Sequence, residues 1–149
     1  MPFEEKTSPT VANQHLFTIL KIIVEMGMHV EVNDKKCAFL KAKMDKPTFA
    51  WMPKEIADRY VLLKPNANAF LKEKGMLTKL ERAVYGMPQS GKLCFESLST
   101  FLLKTGFRQN KKDPCIFQMT RNGEIVLVAF HVDDILSASK SQENLDWFR

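Results

Sequence analysis

CIFQMTRNGEIVLVAFHVDDILSAS, from Cys115 to Ser139, decides the fold. Cys115 to Thr120 has the composition of a strand, and Asn122-Gly123 after Arg121 is the strongest short signal for a two-residue hairpin turn. Ile125 to Val132 is almost wholly apolar and short, the pattern of a buried strand. Asp133-Asp134 interrupts it, and Ile135 to Ser139 reads as a returning strand, so the two acids fall at the tip of a second hairpin. Adjacent carboxylates beside an apolar strand lose hydration and repel each other unless hydrogen bonds or a cation compensate. Two readings follow: a solvated turn, for which aspartates are suited, or a cation site.

Outward from this stretch, Leu93, Phe95, Leu98, Phe101 and Leu102 keep helical spacing from Gly91 onward, and Gly106 supplies a stop. Leu16, Ile19, Leu20, Ile23, Val24 and Met26 form a second apolar stripe between Val11 and Met26, with Ser8 and Thr10 around Pro9 at its start and Gly27 at its end. His29 to Val32 alternates as a short strand that delivers Asn33 and Asp34 at its terminus, and Ser141 with Glu143 and Asn144 opens a last helix. Pro47, Pro53 and Pro65 break up the middle, where TFAWM and YVLL read as short strands and Lys54 to Arg59 as one helical turn. The order predicts an α+β fold, an antiparallel sheet with helices packed on one face.

The 149 residues are 45% hydrophobic and 26% charged, enough for one core and too few for a large multidomain protein. No apolar run reaches the roughly 18 residues of a membrane span, and MPFEEKTSP lacks the basic start and apolar core of a secretory signal. An intracellular protein, cytoplasmic or nuclear, not secreted and with no membrane partner, is expected. Cys37, Cys94 and Cys115 have no metal-ligand spacing and read as reduced thiols. The net charge of +5 sits in small groups such as Lys35-Lys36, Lys72 with Lys74, and Lys111-Lys112, suited either to phosphate contacts or to plain solvation.

Asp34 bears on the choice at Asp133-Asp134. It also ends a short apolar strand, and carboxylates meeting at one sheet edge can hold two divalent cations about 3.5–4 Å apart for phosphoryl transfer. Oxygen ligands favour Mg²⁺ or Mn²⁺ over zinc. The residues are also recognisable. FHVDDIL (Phe130 to Leu136) resembles the YVDD box of retroelement reverse transcriptases, and NDKKCAFL (Asn33 to Leu40) resembles the MDVKTAFL motif of the copia type. SPTV (Ser8 to Val11), AVYGMPQSGKL (Ala83 to Leu93) and GFRQNKKDPCIF (Gly106 to Phe117) match three further blocks in the same order. Together the five cover nearly the whole chain, which is identified as a member of the copia-type LTR-retrotransposon reverse transcriptases.

The resemblance implies a polymerase palm with a ferredoxin-like or RRM-like core. It predicts one palm and partial-fingers domain over residues 1–149, truncated at both ends relative to the family. The implied activity is RNA-directed DNA synthesis, in which a primer 3′-OH attacks the α-phosphate of a dNTP and pyrophosphate leaves. Asp34 and Asp133 correspond to the ligands of two Mg²⁺ or Mn²⁺ ions and Asp134 to the accessory acid. Lys35 and Lys36 fall near the triphosphate, Phe39 beneath the deoxyribose where it excludes a 2′-OH, and Gln89 along the nucleotide. For Phe39 a plain core role is the alternative. His131 stands where the family has tyrosine in contact with the primer, and a structural core histidine is the other reading. Cys37, Lys35 and Gly91-Lys92 also depart from the family pattern, while His15 and His29 match no role. A turn entering a strand accounts for Asp113-Pro114-Cys115 without redox chemistry.

The implied partners are an RNA or DNA template with its primer, dNTPs, and the integrase, thumb and RNase H portions of a polyprotein. With Lys6 the only base before Ser8 and fifteen residues after Asp134, no triphosphate clamp or thumb is expected within this chain. It is therefore expected to be inactive alone. The alternative function is a retroelement remnant that binds nucleic acid or serves structurally without turnover. An unrelated Mg²⁺-dependent nuclease would need a general base that the sequence does not offer.

Overall fold

In the computed structural model, which describes residues 8–34, 38–131 and 134–149, the central hairpin forms as its sequence dictates. The strands β5 (Ile116–Arg121) and β6 (Glu124–His131) pair in register from Ile116↔Ala129 to Arg121↔Glu124. Asn122 and Gly123 between them have φ of 52° and 78°, the two left-handed residues of a type I′ turn. The returning strand β7 (Asp134–Ser139) lies antiparallel to β6. Outside β7 lies β1 (His29–Asp34), and outside β5 the two-residue β4 (Arg108–Gln109), giving the order β1-β7-β6-β5-β4.

Five consecutive residues of β6, Val126 to Phe130, are buried, which explains the unbroken apolar run: the central strand is covered on both faces. Helix α4 (Ser90–Lys104) packs on the face carrying Phe117, Val128 and Phe130, with the Phe95 ring 5.6 Å from that of Phe130 and the Phe117 ring stacked on Phe130 at 5.5 Å. The C-terminal helix α5 (Gln142–Phe148) joins that face. Arg121 lies over the Trp147 ring, and Glu31 accepts hydrogen bonds from Gln142 and Arg149. Ile19 and Ile23 of α1 (Asn13–Glu25) complete the core with Leu98 and Leu102. The α+β class stands.

The helix stops are where the glycines place them. Gly27 (φ 60°) and Gly106 (φ 101°) each follow a helix, and the next residue's N–H reaches back, Met28 to the Ile23 carbonyl and Phe107 to that of Leu102, both at 3.0 Å. Ser141 caps α5, accepting from the Asn144 N–H.

The middle of the chain differs from expectation. Tyr60 to Leu63, read as a strand, belongs to helix α3 (Lys54–Leu63), and TFAWM lies within an eleven-residue strand β2 (Lys43–Pro53). Its partner is β3 (Gly75–Arg82), and a 3₁₀ segment, Pro65–Phe70, lies between α3 and β3. Pro53 opens α3 rather than a loop, and Lys54 pairs with Asp58 one turn on, so the helix runs through Tyr60 to the Lys64-Pro65 break. The β2–β3 pair forms its own two-stranded sheet, joined to α4 through the single-turn helix α2 (Ala38–Lys41). No helix among the described residues is long and apolar enough to cross a membrane.

Candidate active site

Asp34 is the last residue of β1 and Asp134 the first of β7, and the register makes them direct partners. Asp134 is also the partner of His131, the last residue of β6. Directly opposed residues project from the same face of a sheet, so Asp34, Asp134 and His131 form a row at one sheet end. By the two-residue alternation this face carries Val32, Leu136 and Ala129, opposite the face on which α4 and α5 pack. All three polar residues are exposed, and Val30 and Val32 beside them are 49% and 66% exposed, so the β1 side of this face is open.

Two carboxylates directly opposed across a ladder repel each other. Among the described residues neither Asp34 nor Asp134 makes an ion pair. Hard oxygen donors of like charge, side by side and open to solvent, fit a divalent cation such as Mg²⁺ or Mn²⁺. No group of three or more potential ligands is present among the described residues. Asp133, the expected third acid, lies outside them, as do Lys35 and Lys36.

Phe39 and Gln89 lie where α2 meets the start of α4. The Phe39 ring, half-buried in α2, packs against a small cluster of Ala42, Ala83 and Leu93, and meets the Tyr85 ring edge-on with centroids 4.7 Å apart. Gln89 sits at the N-cap of α4 and borders a cleft of about 340 Å³ with Asp45, Lys46 and Lys92. Leu93 connects the two, since it packs in the Phe39 cluster and its N–H donates to the Gln89 carbonyl. Asp34 borders a different cleft, of about 540 Å³, shared with Lys41, Phe101 and Phe148.

His15 and Asp113 emerge as partners that sequence reading did not connect. No local side chain caps α1; Asp113, with its side chain 4% exposed, accepts from the Ala12 N–H at 3.0 Å and from His15 Nδ1 at 2.9 Å. Its other oxygen accepts from the Cys115 N–H at 3.0 Å. Burial raises the Asp113 pKa, but these hydrogen bonds outweigh it and hold the carboxyl below its ordinary value. Burial, followed by the neighbouring Asp113 charge, pushes the Cys115 thiol up to about 12. The Asp113-Pro114-Cys115 block is thus a structural fastening between α1 and the start of β5.

An antiparallel sheet with helices on one face and two acids paired at its end defines an α+β domain with a candidate cation site, and comparison with known proteins supplies its family. The model for "Reverse transcriptase (RNA-dependent DNA polymerase)" matches residues 1–149, and the chain belongs to that family. It is similar to the Retrovirus-related Pol polyprotein from transposon TNT 1-94 of Nicotiana tabacum, 24% identical over 143 residues covering 94% of this chain and 10% of that polyprotein. The corresponding polyprotein from transposon RE1 of Arabidopsis thaliana is 25% identical over 91% of this chain and 8% of its own length. The Transposon Ty1-BL Gag-Pol polyprotein of Saccharomyces cerevisiae is 24% identical, covering 90% of this chain and 7% of that protein. The chain therefore spans about a tenth or less of these relatives, and the copia-type identity read from its motifs is shown. No solved structure gives a significant match.

Proposed function

We propose that this domain carries the catalytic acids of a template-directed DNA polymerase, joining a dNTP to a primer 3′-OH with release of pyrophosphate. The observation that carries the reading is the cross-strand pairing of Asp34 with Asp134 at the open end of the sheet. It brings the first-motif acid beside Asp134, the neighbour in sequence of Asp133. Asp34 and Asp133 are the proposed metal ligands and Asp134 the accessory acid. Two bound Mg²⁺ or Mn²⁺ ions would acidify the 3′-OH and offset charge on the triphosphate. Lys35 and Lys36 then lie by the triphosphate, Phe39 beneath the sugar, and Gln89 along the nucleotide. His131 is proposed to touch the primer terminus, a reading supported by its exposure and its pairing opposite Asp134. The proposed partners are an RNA or DNA template with its primer, and the remaining polyprotein domains supply the rest of the substrate grip.

Manganese binding followed by water-proton relaxation tests the site without requiring turnover. The parent chain is expected to bind Mn²⁺, with Asp34→Asn and Asp133→Asn each weakening it at least tenfold and Asp134→Asn less. Equal affinity in parent, Asp34→Asn and Asp133→Asn would overturn the assignment. In primer extension with flanking polymerase segments of a relative supplied, Asp133→Asn is expected to abolish incorporation.

A further inference from the structure

We propose that Tyr85 is a positioning residue that fixes the Phe39 ring and, through it, sets the choice between deoxyribose and ribose. The inference rests on the reading that Phe39 lies beneath the sugar. Helix α2 is only four residues long, and a single turn holds no fixed geometry by itself. It is fastened from outside: Arg82 Nη1 donates to the Lys41 carbonyl at 2.6 Å, and the Ala83 N–H donates to the Ala42 carbonyl at 3.0 Å. These bonds fix the backbone of α2 but not the Phe39 side chain. Among the described residues the ring packs against a cluster of Ala42, Ala83 and Leu93, which Met44 also joins, and two of its three buried members offer only a methyl group.

Tyr85 adds an aromatic wall. Its ring meets Phe39 at 83°, with centroids 4.7 Å apart, the edge-to-face geometry that aromatic quadrupoles favour. Tyr85 is 56% exposed, so it contributes little to the core, and its contact with Phe39 is directional rather than a matter of burial. A ring that discriminates by excluding one hydroxyl must be held to a fraction of an ångström. Tyr85 belongs to the AVYG stretch just before Gln89, so the two segments proposed to flank the nucleotide meet at this pair of rings.

The test measures dGTP and GTP affinities of the 149-residue chain in Mn²⁺ by equilibrium dialysis, with urea midpoints as a control for folding. The parent is expected to favour dGTP, and Phe39→Val to remove the preference. Tyr85→Ala should narrow the preference by roughly two- to tenfold, the range an edge-to-face pair supports. Tyr85→Leu, which keeps bulk without the aromatic edge, should behave like Tyr85→Ala, while Tyr85→Phe should keep the parent's ratio. Because the effect passes through Phe39, the double variant Phe39→Val/Tyr85→Ala should match Phe39→Val alone. An unchanged ratio in Tyr85→Ala and Tyr85→Leu, with the preference lost in Phe39→Val, would overturn the role of Tyr85 and leave Phe39 beneath the sugar. An unchanged ratio in Phe39→Val, or no saturable dGTP binding by the parent, would overturn the placement of Phe39 itself and the inference with it.

Discussion

Replacing Asp113 by alanine separates its structural role from any chemical one. Its carboxylate accepts from two backbone donors, the N–H groups of Ala12 and Cys115, and from His15 Nδ1. Deletion leaves the Cys115 N–H buried without its acceptor and removes the acceptor of the Ala12 N–H at the start of α1. At about 1–2 kcal/mol for each charge-assisted backbone bond lost, Asp113→Ala should cost about 2–4 kcal/mol. The His15 bond adds little, because that ring is 31% exposed and water can replace the acceptor. Asp113→Asn retains one acceptor oxygen and turns the other into a donor facing donors, so its loss should fall between parent and alanine. Urea denaturation followed by circular dichroism reads these differences. The acid dependence follows from the depressed carboxyl. Its folded pKa lies below the ordinary 3.8, so its contribution is fully present above the unfolded value and disappears as pH falls through the folded one. The gap between parent and Asp113→Ala should be constant near neutrality and close below about pH 4. A loss under about 0.5 kcal/mol, or a gap that persists at acid pH, would refute the fastening of α1 to β5 by this carboxylate.

Two further outcomes are expected. Gly75 has φ of 131°, and a Cβ there would stand 2.1 Å from the Met52 carbonyl, so Gly75→Ala should cost about 2 kcal/mol or more and loosen the β2–β3 pair. Limited proteolysis within residues 43–82 should accelerate, and an unaltered cleavage rate would contradict the close approach. Cys115 is fully buried with its thiol raised to about 12, so iodoacetamide at pH 8 should leave it unmodified in the folded chain and alkylate it in urea, as read by peptide mass spectrometry.

What sequence reading captured, and what it missed, divides by range along the chain. The Asn122-Gly123 turn, the Gly27 and Gly106 stops, the Ser141 cap and the strand-end positions of Asp34 and Asp134 are each dictated by a few adjacent residues. Ser8 and Thr10 around Pro9 mark the entry to α1, but the carboxylate that holds this start is that of Asp113, 101 positions away from Ala12. Tyr60 to Leu63 has the β-branched and aromatic look of a strand, yet it continues a helix that covers β3. Propensity is weak where a neighbouring element decides which face is buried.

The same division runs through the candidate site. Asp34 and Asp134 were legible as acids ending apolar strands, because that placement is costly and shows in the local pattern. Their direct pairing was not, since register between β1 and β7 depends on how both strands fit against β6 and α4. Phe39 could be matched to a family position, but nothing near it in the chain indicates that Tyr85 sits edge-on to its ring. The candidate site residues are thus written locally, in the acids and Phe39. Their alignment is set by long-range fastenings: the β1–β7 register, the Arg82 and Ala83 bonds to α2, and the Asp113 bond to α1. Substitutions at those fastenings should disturb the geometry of the site while leaving Asp34, Asp134 and Phe39 unchanged.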